Sequence, residues 1–283
     1  MSVFQDYLEL TKPRLTLLVL ATAFLGFYMA SPRPFETTLV LHAIVGSALI
    51  GAGINTLNQY LEHFIDAKMR RTESRPIPSG RVRPDSALIF GSLLAVAGDT
   101  YLFFFTNRLT GFLGVLIIVS YLFFYTPLKQ KTAFNTLVGA IPGALPCVMG
   151  WAAAQNALPK QAWPLFLILF FWQLPHFFAI AWVYREDYAN SGFKMLTLSD
   201  ADGRDTGKKI ILGSLLLFPM TLLPVWAGLV GNVYLGTAIL SGIFFILMSM
   251  RMYKQQLAGA KKFVSLSIYY LLILIIAMVA DKI

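Results

Sequence analysis

The stretch NQYLEHFIDAKMRRTESRPIPSGRVR, residues 58–83, joins the end of a long apolar run to a strongly basic segment. It places Asn58, Glu62 and Asp66 four positions apart. On an α-helix such positions drift by only about 40° per step, so the three oxygen-bearing side chains stand one above another. Six cations follow: Lys68, Arg70, Arg71, Arg75, Arg81 and Arg83. Acids beside an apolar run are costly unless they bind a cation or line a wet cavity, so this pattern predicts a metal-assisted site for a phosphorylated substrate at a membrane surface.

The composition is that of a polytopic membrane protein. Of the 283 residues, 57% are apolar and only 13% are charged, which excludes an ordinary soluble domain. The apolar runs are long enough for membrane-spanning helices and too long for the strands of an outer-membrane barrel. They predict an all-α chain that forms a single transmembrane domain over residues 1–283, with nine spans near 15–31, 38–62, 85–106, 110–126, 133–153, 162–184, 209–228, 231–250 and 264–281.

The distribution of positive charge predicts the orientation. All but four of the 23 Lys and Arg residues fall on the side of the N-terminus, the exceptions being Arg33, Arg108, Lys160 and Lys282. The positive-inside rule places that side in the cytoplasm and the C-terminus opposite. It explains the net charge of +9 without a nucleic-acid partner. The N-terminus resembles neither a signal nor a transit peptide, so we expect an uncleaved anchor in the inner membrane of a bacterial-type cell.

The predicted fifth span is rich in small residues. Gly139 and Gly143 stand four apart, which allows close helix contact, and Pro142 and Pro146 predict a bend. The pattern is typical of a close-packed or kinked cavity wall, and helix packing alone accounts for it about as well.

The predicted sixth span contains Gln173 and His176 and leads into the acidic string YREDY, residues 184–188. His176 and Asp187 are eleven residues apart, so on one ideal helix they share a face, about 16 Å apart in height. A kink at Pro175 can rotate the part of the helix that comes after it. A histidine in an apolar helix is more often a packing residue than a ligand, but the shared face favours a functional role for His176.

Two acidic stretches at the same side of different helices suggest a site assembled between helices. Mg²⁺ typically binds one or two carboxylates together with substrate phosphates. The candidate metal-binding and catalytic residues are Asn58, Glu62, Asp66 and Asp187. The cations that could neutralise a departing diphosphate are Arg70, Arg71, Arg75, Lys129 and Lys131. An apolar interior would hold a lipid tail and keep water from a carbocation.

These residues carry a resemblance to a known family. The pattern NxxxExxxD followed by AxMxRTxxRPxPSGR resembles the first signature of the intramembrane aromatic prenyltransferases. Three further stretches are similar to the heme O synthase, or protoheme IX farnesyltransferase, branch: YLELTKPRLT, YTPLKQKTAFNTLVGAIPGALP and WQLPHFFAIAWVYREDYANSGFKML. Together the four stretches span residues 7–196. The C-terminal third supports the resemblance only through its number of membrane spans.

The resemblance implies nine helices around a cavity. It implies transfer of a farnesyl group from farnesyl diphosphate to the 2-vinyl group of heme B, with water addition, giving heme O. Asn58, Glu62 and Asp66 match the first Mg²⁺–diphosphate motif, and the second motif maps to Tyr184, Arg185, Asp187 and Tyr188. His176, beside Gln173, matches a histidine that ligates the heme iron or orients the porphyrin. The family often has two spaced aspartates in each motif, so the number of metal ions stays open.

Three alternatives remain. The acceptor could be a quinone precursor or a chlorophyll-type ring. A transporter would place charges at the membrane midplane and show inverted repeats, whereas these acids lie at one rim. A structural subunit of a respiratory assembly would leave the acids unexplained. For the heme reaction we expect a lipid bilayer, farnesyl diphosphate and heme B as partners, and a heme A synthase or terminal oxidase assembly as a recipient of the product.

Overall fold

The computed structural model describes residues 2–32, 34 and 36–283. Within this part of the chain, nine helices are long and apolar enough to cross a membrane, which confirms the predicted all-α, multi-pass class. The predicted outer cation Arg33 lies outside the described residues. The α-helices are α1 Val3–Leu10, α2 Pro13–Ala30, α3 Thr37–Asp66, α4 Pro84–Phe105, α5 Arg108–Val119, α6 Thr126–Lys131, α7 Asn135–Gln155, α8 Trp163–Val183, α9 Arg185–Ser191, α10 Arg204–Trp226, α11 Asn232–Lys254 and α12 Ala260–Ala280.

Several helices extend about four residues beyond the predicted spans at the basic end of the bundle. The helix α3 continues to Asp66, and the fourth span continues through a π-helical turn and α6 to Lys131. Hydropathy marks where the apolar window ends, but a helix satisfies its own backbone and can continue into the polar interface. The predicted spans 110–126 and 133–153 left Lys129 and Lys131 in a loop between helices, and this was wrong because both lie on α6.

The helix α7 is the centre of the bundle, since 72% of the residues in its 18-residue apolar stretch are buried. It packs against α2, α5 and α8, while α8 also contacts α10 and α12. Each of these neighbours is itself a span, so α7 is surrounded by protein along most of its length. The C-terminal ends of α3, α6 and α8 therefore lie together at the basic end of the bundle.

Small residues bring α2 and α7 into backbone contact. A Cβ atom at Gly26 would lie 1.8 Å from the carbonyl oxygen of Cys147, and one at Gly150 would lie 1.9 Å from that of Ala23. Close approach of this kind is a main source of helix association in membranes. The small-residue packing of α7 is confirmed, but it is Gly150 that makes the closest helix contact.

The two glycines noted in the sequence, Gly139 and Gly143, have a different packing role. Gly139 faces the ring of Tyr125, and a Cβ atom at Gly143 would lie 2.0 Å from Oε1 of Gln173. Both glycines make room for a large side chain of a neighbouring segment. The close contact that their spacing allows is therefore made with side chains and not with a neighbouring backbone.

We expect Gly26→Ala to destabilise the protein in detergent by about 2 kcal/mol, because the new methyl group forces α2 and α7 apart. Gly236→Ala on α11 is the matched control, since a Cβ atom there meets nothing within 4 Å. The control removes a helix-interior glycine and should leave the melting temperature unchanged or slightly higher. Equal melting temperatures for the two variants would contradict the close α2–α7 contact.

Candidate active site

The ladder of oxygen-bearing side chains forms as the spacing predicts. Asn58, Glu62 and Asp66 all lie on α3, and all three are buried. Nδ2 of Asn58 donates a hydrogen bond of 2.6 Å to Oε2 of Glu62. The four-residue spacing therefore produces a continuous polar stripe at the end of an otherwise apolar helix.

Two cations face this stripe. Nζ of Lys129 lies 2.8 Å from Oε1 of Glu62, and Nη1 of Arg75 lies 2.6 Å from Oδ2 of Asp66. The second oxygen of Asp66, Oδ1, is buried without a hydrogen-bond partner among the described residues. A buried carboxylate oxygen normally has a partner, so this atom is an open ligand position.

The position of Lys129 depends on a π-helical turn. Residues Ser120–Tyr125 form this turn between α5 and α6. Oγ1 of Thr126 donates a 2.9 Å hydrogen bond back to the carbonyl of Tyr121. Nζ of Lys129 then lies 4.5 Å from the ring centroid of Tyr125, a cation–π contact that accompanies its ion pair with Glu62. Such π turns within helices occur frequently at functional sites.

The basic segment after α3 folds back over the end of the helix. Oγ1 of Thr72 donates to the carbonyl of Asp66 at 2.9 Å, which returns the chain toward the carboxylate that Arg75 contacts. Arg81 forms ion pairs with Asp6 and Glu9 of α1. It therefore ties α1 to the segment, so this one of the six basic residues has a structural role.

Arg70 and Arg71 are exposed, and Arg71 reaches the second acidic stretch. Its guanidinium lies 4.9 Å from the ring centroid of Tyr184. Arg185 packs over the ring of Trp182 at 4.4 Å. The contact between Arg71 and Tyr184 links the segment after α3 to the end of α8, so the two predicted motifs belong to one region.

The single continuous helix assumed between His176 and Asp187 was wrong. The helix α8 ends at Val183, Tyr184 has φ −107° and ψ 24°, and Asp187 lies on the separate helix α9. The direction of Asp187 is thus decoupled from the face that carries His176. Asp187 is half-buried and Glu186 is exposed.

The segment after α9 docks on α6. The backbone N–H of Lys194 donates to the carbonyl of Lys129 at 2.8 Å. The ring centroids of Tyr188 and Phe193 are 5.9 Å apart, and Nζ of Lys129 lies 6.0 Å from the ring centroid of Phe193. Lys131 is exposed at the end of α6. The second motif is therefore joined to the first through Lys129.

Sequence analysis did not identify Lys12, which lies close enough to this site for its charged residues to act on the lysine. The pKa of Lys12 is lowered to about 7, mainly by burial and also by the charges of Arg75 and Lys129, while Glu62 and Asp66 act in the opposite direction. Lys12 has φ 47°, a left-handed conformation that a non-glycine residue rarely adopts and that often accompanies functional sites. The only local signal was the proline that follows it.

His176 and Gln173 lie deeper on α8, and both are buried. Nε2 of Gln173 donates to the carbonyls of Ala140 and Leu169 at 3.2 and 3.0 Å. Gln173 therefore joins α8 to α7 through the space left at Gly143. Nδ1 of His176 lies 2.6 Å from Oγ of Ser267 on α12. Neither residue contacts the carboxylate ladder.

The donor set suits a hard cation shared with a substrate. Among the described residues, no group of three or more His, Cys, Asp or Glu residues is placed to hold a metal ion alone. Asp187 thus does not join Glu62 and Asp66 in one cluster in this structure. Two carboxylates and an amide, with Oδ1 of Asp66 open, match the incomplete protein ligand set that Mg²⁺ uses when phosphate supplies the remaining ligands.

Oxygen ligands and cations buried together at one end of a transmembrane bundle define an intramembrane site for an anionic, metal-binding substrate. The chain belongs to the UbiA prenyltransferase family, whose model matches residues 19–276. It is thus a membrane-embedded prenyltransferase, and the family resemblance of its motifs is confirmed.

Full-length relatives and solved structures agree with this assignment. The protoheme IX farnesyltransferase of Solibacter usitatus (strain Ellin6076) is 41% identical over 288 residues, covering 98% of this chain and 99% of that protein. A structure of digeranylgeranylglyceryl phosphate synthase has a TM-score of 0.83 at 18% identity and covers 99% of both chains. A UbiA homolog from Archaeoglobus fulgidus bound to GPP and Mg²⁺ has a TM-score of 0.64 at 12% identity, covering 95% of this chain and 99% of that one. These two structures share the fold.

We expect Lys129→Gln to lower the prenyl-transfer rate by about 100-fold, the typical loss when a group that stabilises developing negative charge is removed. The variant also leaves Glu62 without its cation, so thermal stability should fall. Lys261→Gln is the matched control, because Lys261 is an exposed lysine at the start of α12 that has no part in the proposed site. Steady-state rates and melting temperatures of both purified variants test this, and equal losses in the two would contradict the site geometry.

Proposed function

We propose that this prenyltransferase transfers a farnesyl group from farnesyl diphosphate to the 2-vinyl group of heme B, giving heme O and diphosphate. The observation that carries the proposal is full-length similarity: relatives 36–41% identical over 98–99% of this chain bear the name protoheme IX farnesyltransferase. That similarity covers every helix that contributes to the site, including α12. The proposal treats residues 1–283 as one catalytic domain.

The diphosphate end is assigned to the α3 ladder. Asn58, Glu62 and Asp66 would hold Mg²⁺ together with substrate oxygens, and Asp187 on α9 would complete the set from the other side. The open Oδ1 of Asp66 supports this assignment. Bound Mg²⁺ would neutralise charge on the diphosphate and so favour its departure. The UbiA homolog from Archaeoglobus fulgidus holds Mg²⁺ with GPP.

Lys129 and Arg75 would exchange partners when the substrate enters. They neutralise Glu62 and Asp66 at 2.8 and 2.6 Å in this structure. A diphosphate is a stronger attractor for both cations, because it carries more negative charge than a single carboxylate. Moving to its oxygens would expose the carboxylates as ligands. The ion pairs thus keep the acids neutralised without substrate and provide the substrate's charge partners when it arrives.

The surrounding residues form the rest of the diphosphate subsite in this proposal. Lys12 contributes from the start of α2, and its lowered pKa is expected to rise again beside an anion. The residues at the rim of the site would contact diphosphate oxygens during entry and release: Arg70, Arg71, Lys131, Tyr184, Arg185 and Tyr188. Arg71 and Tyr184 already contact each other there.

The carbon chemistry requires no nucleophilic side chain. The allylic C–O bond breaks and diphosphate leaves with the bonding electrons, while Lys129 and Arg75 stabilise the departing charge. The π electrons of the heme vinyl group form the new C–C bond to the farnesyl carbon. The positive charge then lies on the vinyl carbon next to the porphyrin, and a water molecule adds there and loses a proton. The protein's main contribution is to exclude water until the vinyl group has reacted.

The acceptor end is assigned to His176, with Gln173 beside it. His176 is buried on α8, apart from the carboxylate ladder, and its imidazole is a common ligand for heme iron. Gln173 shapes this part of the wall by joining α8 to α7. In this proposal the heme lies deeper than the diphosphate, and the farnesyl chain bridges the two.

The proposed setting is the inner cell membrane, with the N-terminus and the diphosphate site on the cytoplasmic side and the C-terminus opposite. The excess of Lys and Arg at the diphosphate end of the bundle supports this orientation. A soluble prenyl diphosphate would then reach the site from the cytoplasm. The product is a hydrophobic heme, so a heme A synthase or a terminal oxidase assembly in the same membrane is its proposed recipient.

The test is an assay of membranes containing the protein with heme B, farnesyl diphosphate and Mg²⁺. We expect a more hydrophobic heme that elutes later in reversed-phase chromatography, with a mass greater by one farnesyl group and one hydroxyl group. A chelator should abolish its formation, and added Mg²⁺ should restore it. Absence of this product, together with prenylation of a quinone precursor or chlorophyll-type ring, would reject heme as the acceptor.

We expect Asp66→Asn to abolish turnover, because the substitution removes the charge that pairs with Arg75 and replaces the open oxygen ligand. Asp85→Asn is the control, since Asp85 is an exposed acid at the same end of the bundle whose contact with Arg83 is 3.9 Å long. Both variants should assemble in the membrane, as checked by size-exclusion chromatography in detergent. Activity of Asp66→Asn near the wild-type rate would reject the assignment of the diphosphate site.

A further inference from the structure

The C-terminal helix α12 contacts the proposed acceptor residue, although its sequence carried no functional signal. Oγ of Ser267 lies 2.6 Å from Nδ1 of His176, and Ser267 is fully buried. The indole Nε1 of Trp172 donates to the carbonyl of the same residue at 2.7 Å. Two polar groups of α8, one turn apart, therefore converge on a single residue of α12.

The hydrogen bonds at Ser267 determine which imidazole nitrogen carries the proton. Oγ of Ser267 donates its one proton to the carbonyl of Val264 at 2.7 Å. With that proton on the Val264 carbonyl, the hydroxyl oxygen offers only lone pairs to His176, and we assign Nδ1 as the donor in the 2.6 Å contact. In the neutral ring this tautomer leaves the lone pair on Nε2.

The orientation of the ring is fixed by the same group of residues. The indole of Trp172 stacks on the imidazole of His176 with centroids 4.8 Å apart and an interplanar angle of 20°. Trp172 is itself held by its hydrogen bond to the Ser267 carbonyl. Both the tautomer and the plane of the imidazole thus depend on α12.

We propose that Ser267 is a positioning residue for the acceptor: it holds His176 as the Nδ1–H tautomer, so that Nε2 can bind the iron of a metalloporphyrin. The proposal rests on the function proposed above, in which heme B is the acceptor. Metal-binding histidines generally donate their other ring N–H to a fixed acceptor in this way. A serine hydroxyl whose proton is committed to a backbone carbonyl is such an acceptor.

The experiment titrates heme B into the purified protein in detergent and follows the Soret band and the visible bands that report histidine ligation. The Michaelis constants for heme B and farnesyl diphosphate are measured in parallel. Wild-type protein should show a histidine-ligated spectrum that His176→Ala loses. Ser267→Ala should weaken heme binding by about tenfold, the lower end of the effect of removing a residue that orients a metal ligand. It should raise the Michaelis constant for heme B and leave that for farnesyl diphosphate unchanged.

Two further variants separate positioning from packing. Ser249→Ala on α11 is the matched control, because Ser249 is equally buried and donates to the carbonyl three residues earlier at 2.7 Å. It should bind heme like the wild type. Ser267→Thr keeps the hydroxyl and should restore most of the affinity that Ser267→Ala loses.

Three outcomes would overturn the inference. Wild-type heme affinity and spectrum in Ser267→Ala would show that the hydroxyl does not position the histidine. Equal increases in both Michaelis constants, with a lowered melting temperature, would show a packing role only. An unchanged spectrum in His176→Ala, with heme prenylation intact in the wild type, would reject the inference and leave the proposed function standing. If the wild type neither binds nor prenylates heme B, both fail together.

Discussion

The burial of Glu62 and Asp66 at the end of a membrane helix is the constraint on which the basic end of the bundle depends. A carboxylate removed from water is tolerated only beside an opposite charge with good hydrogen-bond geometry. Lys129 and Arg75 supply these charges from two different segments. Arg75 reaches Asp66 only because the segment after α3 folds back, and Lys129 comes from a helix 67 residues further along the chain than Glu62, so the acids constrain how the surrounding backbone folds.

Each surrounding feature can be understood as a response to that requirement. The π-helical turn after α5 and the continuation into α6 bring Lys129 to Glu62. The segment after α3 returns over the helix end, and Arg81 secures it to α1. The proposed reaction uses the same charges, since groups that neutralise buried acids are also those best placed to receive a diphosphate.

The proposed acceptor region depends on a different principle. Here the decisive contacts are neutral hydrogen bonds and ring stacking between α8 and α12, at His176, Trp172 and Ser267. Charge at the rim and neutral polar contacts deeper in the bundle suit the two ends of the proposed reaction. An anionic leaving group requires cations, whereas a porphyrin requires an apolar wall with a few fixed ligands.

The amino-acid sequence was sufficient to predict the membrane class, the number of spans and the ladder on α3. These properties arise from hydropathy and helical periodicity, which act between residues close in the chain. Motif resemblance added the family and the candidate site residues near Asp66, His176 and Asp187. It could not supply the break at Tyr184, which separates the direction of Asp187 from that of His176.

The packing of the helices was needed to establish which charges meet and which side chains support them. Lys129 and Lys131 are alike in sequence, yet only Lys129 is buried against Glu62. Lys12 and Ser267 were not identified from the sequence, because the partners of each lie on helices that are distant in the chain. Periodicity predicts the face on which a residue lies, but the partner on that face depends on how whole helices pack.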